Sequence, residues 1–144
     1  MSHKIVVGYD GSESANTALD FAVGLVKAQG GSIVVAHVLE WSPYSLLTPT
    51  ELEERHKRRG EELARAETAV LAPVVDKLKS SDVDVSTVLK YGHIADTLSE
   101  IAESEGANQV VIGRTGHSGL SSRLFGSVAG SLAQESKVPV TIVP

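Results

Sequence analysis

The chain has 144 residues, 42% hydrophobic and 22% charged, which is enough apolar material for one domain with a real core. A formal net charge of -5 and only 4% aromatic residues argue against nonspecific binding to nucleic acid or anionic membranes. With no cysteine there are no disulfides, no thiol catalysis and no cysteine metal sites, and an intracellular protein fits.

No apolar run reaches ten residues, and Met1 to Lys4 leads straight into a strand. Neither a transmembrane span nor a signal peptide is therefore expected, and the cytoplasm is the expected compartment. Ile5 to Tyr9 is a continuous apolar run, as in a strand covered on both faces of a parallel sheet. Asp10-Gly11-Ser12 ends it. The first helix follows, with Ala15, Ala18, Leu19, Ala22, Val23 and Val26 on one stripe, Ser12 as N-cap and Gly30-Gly31 as the stop. Ile33 to Leu39 reads as a second buried strand, completing a strand–helix–strand crossover.

A loop with Trp41, Pro43 and Pro49 comes next, and its apolar Trp41, Leu46 and Leu47 beside the end of strand two invite the idea of a lid. Thr50 with Glu53 has capping-box spacing and opens a long second helix. Arg55 to Arg59 looks basic, but Glu51, Glu53 and Glu54 precede Arg55, Lys57 and Arg58 by four residues, so a solvated, internally paired face is expected. Pro73 should kink or split this helix near Ala72. Val83 to Leu89 alternates apolar and polar and suggests a third strand nearer the sheet edge. Tyr91-Gly92-His93 turns into a third helix with Ile94, Leu98, Ile101 and Ala102 inward and Gly106 as its stop.

Val110 to Ile112 is the fourth strand, and it empties into a glycine-rich loop spaced Gly113-x2-Gly116-x9-Gly126-Ser127. A helical pattern begins near Ser127 with Val128, Leu132 and Ala133, and Val138 to Val143 closes the chain as a short fifth strand. Glycine lets backbone N–H groups approach a ligand closely, and a following helix N-terminus adds unpaired donors, so strand, glycine loop and helix in that order favour a phosphate. The loop contains no Gly-Lys-Ser/Thr and no lysine, so it is not a Walker A loop. Arg114 and Arg123 are the available cations, each equally readable as a surface arginine. The other reading of the loop is a surface connection whose glycines only make turns. Five strands alternating with four helices imply a single α/β domain over 1–144 with a doubly wound parallel sheet, whose ligand site lies at the carboxyl ends of the strands.

Ile-Val-Val-Gly-Tyr-Asp-Gly-Ser at 5–12, Ala36 to Val38, Tyr91-Gly92, the glycine loop and Val138-Pro139-Val140 together resemble the universal stress protein family, specifically its ATP-binding branch. The resemblance implies strand order 3-2-1-4-5, with the switch between strands one and four, so that Asp10 and Gly113 converge on one crevice. It also implies ATP as cofactor, with Asp10 on the adenosine and helping to hold Mg2+ or Mn2+ near the phosphates. Val38 would meet adenine through its backbone and Gly113 would approach the ribose. Gly116, Gly126, Ser127 and Val128 would offer donors to the phosphates; Gly11, Ser12 and Arg114 flank the same site. Asp10 also has a simpler reading, as N-cap of the first helix.

The last strand is short, apolar and at an edge that tolerates Pro139, and the resemblance favours a homodimer formed by pairing it with its copy. Among the histidines His3, His37 and His56 lack a neighbouring ligand at metal spacing, while His93 and His117 are expected at most to line the crevice. Ser12, Ser118, Ser121 and Ser122 have no recognisable His and acid partners for a triad. The expected function is nucleotide binding in a sensor or regulator rather than turnover. The alternatives are a metal-dependent nucleotide hydrolase or adenylyl-transferring enzyme, and an interaction protein of the same fold that binds no nucleotide.

Overall fold

In the computed structural model the described residues are 3–40, 48–114 and 121–144, the side chains of 121–127 excepted. Five strands form one parallel sheet: β1 (His3–Gly8), β2 (Gly31–Glu40), β3 (Asp84–Gly92), β4 (Gln109–Gly113) and β5 (Val140–Val143). Their order is β3-β2-β1-β4-β5, as the resemblance implied. Ile5 and Val7 of β1 register with Ile33 and Val35 of β2 on one side, and with Gln109 and Val111 of β4 on the other.

The apolar runs are continuous because both sheet faces are covered. Ile5, Val7, Ile33, Val35 and Val111 pack with α1 (Glu13–Gln29) and α3 (Ala72–Ser80). Val6, Val34, Ala36, Val110 and Ile112 pack with α4 (Ile94–Ser104) and α5 (Ser121–Glu135). Residues alternate between these two cores along each strand, as the two-residue period requires.

The second helical stretch is broken where proline demanded it. Pro73 has no N–H to donate back along the helix, and its ring crowds the carbonyl four residues earlier. The chain responds just ahead of it: α2 (Pro49–Ala66) gives way to a π-helical turn, Glu67–Leu71, that ends with the Ala72 N–H donating to the Glu67 carbonyl, and α3 resumes. Counted as one interrupted run, α2 to α3 leaves four helical segments alternating with the five strands.

Three boundaries differ from expectation. The N-cap of α2 is Thr48, whose Oγ1 accepts the Glu51 N–H at 3.2 Å, rather than Thr50. Pro49 decides between these overlapping boxes, since proline suits the first helical position and not the residue before a cap. α5 starts at Ser121, not near Ser127, which places Gly126 and Ser127 inside the helix; nothing between Ser121 and Phe125 breaks a helix, and one glycine weakens it by only about 1 kcal/mol. β5 begins at Val140 rather than Val138, because Pro139 cannot donate to the ladder, although its carbonyl accepts the Val110 N–H. The lid idea rests on residues 41–47, which lie outside the described residues. Among the described residues no helix is long and apolar enough to cross a membrane.

Candidate functional site

β1 sits at the centre of the sheet, and its chain leaves toward the α1 face while β4 leads toward α5 on the other. A small hollow of about 50 Å3 opens beside this switch, lined by Gly8, Tyr9, Asp10, Ala36, Val38, Ile94 and Leu98. Its walls are apolar and, among the described residues, its one charged group is Asp10.

The end of β1 is held rigidly. Tyr9 N–H donates to the Ala36 carbonyl at 2.8 Å, and the Tyr9 carbonyl accepts from His37 Nδ1 at 2.7 Å. His37 is therefore a buried strut of the strand end. The Tyr9 ring turns to the α1 face, where its hydroxyl donates to Asn16 Oδ1 at 2.7 Å. Burial pushes the Tyr9 phenol above its usual range, the Asn16 bond opposing the shift.

Asp10, Gly11 and Ser12 then make the turn into α1. Ser12 is the N-cap: it is buried, and its Oγ accepts the Ala15 N–H at 3.1 Å. Asp10 is not the cap; its Oδ1 takes the Ser12 N–H at 2.9 Å, which fixes the carboxylate at the crevice and leaves Oδ2 for a ligand hydroxyl or a cation. Gly11 has φ +82°, a left-handed conformation that glycine adopts without strain.

Gly113 ends β4 against the first turn of α1. A Cβ there would lie 2.2 Å from Ser14 Oγ and 2.6 Å from the Ser14 carbonyl oxygen. Close packing of strand on helix thus already requires glycine, beside any approach to a ligand. Arg114 continues the β4–β5 pairing through its N–H to the Val143 carbonyl, 2.9 Å, with its side chain exposed. Val128 is half-buried and packs on the α4/α5 core. Gly116 and His117 lie outside the described residues, and His93 is exposed at the N-terminus of α4.

The structure thus brings Asp10 and Val38 to one hollow, with Gly11 and Ser12 behind Asp10. Ala36, Ile94 and Leu98 line it without having been singled out as site residues. Gly8 left a signal in the sequence, as a glycine inside an apolar strand: a Cβ on it would sit 3.0 Å from both Ile112 Cγ2 and Leu98 Cδ1. Among the described residues no group of three or more His, Cys, Asp or Glu side chains could hold a metal ion.

A single parallel sheet of order 3-2-1-4-5 with helices on both faces and an apolar hollow at its switch point defines a doubly wound α/β protein. The chain belongs to the Universal stress protein family, whose pattern matches residues 1–144. It is 29% identical to universal stress protein YxiE of Bacillus subtilis, covering 99% of both chains. It is 30% identical to a universal stress protein of Methanocaldococcus jannaschii, over 97% of this chain and 81% of the relative. It also superposes on a universal stress protein solved in complex with cAMP, with a TM-score of 0.70, 28% identity, and coverage of 99% of this chain and 97% of that one.

Proposed function

We propose that this chain is an ATP-binding sensor or regulator of the universal stress protein type, acting in the cytoplasm as a homodimer. The observation that carries the reading is the hollow at the switch point. Ala36, Val38, Ile94 and Leu98 offer apolar walls to a base. Asp10 Oδ2, left over by the bond from the Ser12 N–H, would accept from a ribose hydroxyl, and by the family resemblance Gly116 would offer its N–H to the phosphates. The neighbour solved with cAMP supports an adenine nucleotide as the ligand class. Among the described residues Asp10 is the one carboxylate lining the hollow, so a Mg2+ or Mn2+ ion here would draw most of its ligands from phosphate oxygens and water, the usual habit of Mg2+. The bound metal would neutralise phosphate charge.

The dimer reading rests on β5. It forms the sheet edge beside β4, is four residues long and exposes Ile142, so an unpaired ladder and an apolar side chain are offered together.

The test is to heat-denature freshly purified protein and identify the released nucleotide by chromatography and mass spectrometry, with Gly116→Val as control. Near-stoichiometric ATP from the wild type and none from the control is the expected result. No released nucleotide, together with no thermal shift on adding ATP and magnesium, overturns the reading in favour of an interaction protein.

A further inference from the structure

A second hollow, of about 400 Å3 and open to solvent, lies on the other face of the sheet, between α1 and the segment formed by the π turn and α3. The faces are distinguished by their cores: Tyr9 and Val74 belong to the α1/α3 core, Ala36 and Leu98 to the α4/α5 core. The π turn bounds this space. Val70, within it, has its Cγ1 3.9 Å from where a Cβ on Gly11 would stand. The wall it continues, Pro73 and Val74, carries compact side chains that leave the space unfilled.

The polar groups of this hollow are segregated. Asp10 stands at one end, at the start of α1. At the other end Lys77 meets Asp20, Nζ to Oδ1 3.4 Å, eight residues along α1 from Ser12 or about 12 Å at the helical rise. The central polar groups are occupied, the Tyr9 hydroxyl with Asn16 Oδ1 and Asn16 Nδ2 with the Ser12 carbonyl. The Lys77–Asp20 pair is exposed on both sides, and such pairs hold weakly, so Lys77 can turn to a ligand.

We propose that this second hollow binds a short zwitterion, with an ammonium group against Asp10, an anionic group against Lys77 and an apolar span of about 10 Å lying over Val70, Pro73 and Val74. The proposal shares Asp10 with the nucleotide reading and otherwise draws on residues of the other sheet face. Asp10 lines both hollows, so a ligand in one bears on the electrostatics of the other.

The test uses 8-aminooctanoate, with octanoate and octylamine as half ligands, titrated into isotope-labelled protein and followed by amide NMR. Expected are saturable shifts at Gly11, Asn16, Val70, Val74 and Lys77, and binding of the zwitterion at least about fivefold tighter than either half ligand. Lys77→Ala, an exposed change whose spectrum elsewhere reports an intact fold, should erase most of that preference. Shifts confined to Ala36, Val38, Ile94 and Leu98, no saturation, a half ligand matching the zwitterion, or a preference that survives Lys77→Ala would each overturn the proposal.

Discussion

α1 and α2 are of nearly equal length, 17 and 18 residues, and both begin with a side-chain N-cap. They are held by different forces. α1 buries Ala15, Ala18, Leu19, Ala22 and Val26 against the sheet, whereas α2 buries only Ala66, at its last residue. α2 is instead tied to the end of β3, where Tyr91 donates its hydroxyl to Glu62 and lies under the Arg59 guanidinium at 5.3 Å. An isolated helix of this length is marginal in water, so α2 depends on its cap, its local pairs such as Glu54–Arg58 and that tether. Helical sequence alone therefore does not tell how much a helix contributes to the fold; the buried stripe does.

The largest separation should come from leucine truncation. Leu19→Ala, at a fully buried site on α1, should lower stability by about 3 kcal/mol. Leu52→Ala, at a 47% exposed site on α2, should change it by less than about 0.5 kcal/mol in the same denaturant titration. Equal losses would mean that α2 packs as α1 does. Next, Gly113→Ala should cost about 2 kcal/mol by pushing Ser14 and the first turn of α1 off β4. A neutral result in thermal melting would remove the packing reason for that glycine.

A smaller contrast is available in the caps. Ser12→Ala should cost about 1 kcal/mol globally. Thr48→Ala, the same chemical loss, should leave global unfolding nearly unchanged while speeding amide hydrogen exchange through α2 alone. The smallest effect belongs to the tether. Burial and the bond to the Glu62 carboxylate raise the Tyr91 phenol from 10.0 to about 12. A phenol with a raised folded value favours the neutral form, so its contribution is complete below pH 10 and fades between pH 10 and about 12. The difference in melting temperature between wild type and Tyr91→Phe should accordingly be constant below pH 10 and vanish toward pH 12. A difference that widened with pH would show that the hydroxyl is not the tether.

The order of elements was legible because β1, β2 and β4 are apolar runs covered on both faces, β3 alternates as an edge strand does, and the buried stripe of α1 has helical period. Ser12, Gly30 and Pro73 all act where the sequence put them. Thr48 was missed because two cap boxes overlap two residues apart, and the start of α5 because Gly126 reads as punctuation though a helix tolerates it. At the site, Asp10 could be placed because it follows the apolar run of β1, and Val38 by the family resemblance. Ile94 and Leu98 could not: their spacing says that they face a core, but which end of that core stays open depends on how α4 crosses the sheet. The two hollows share that difficulty, since space left unfilled between elements has no residue to announce it.

The position of β4 has a consequence for the order of synthesis. β1 pairs with β2 soon after both have emerged, but its other flank waits for a partner more than a hundred residues downstream, where Lys4 N–H meets Asn108 Oδ1 across 104 positions. Until β4 arrives, the nascent chain has β1 as an open edge and no switch point. The crevice is thus among the last features to exist, and any ligand of it can reward only chains whose sheet is already nearly closed.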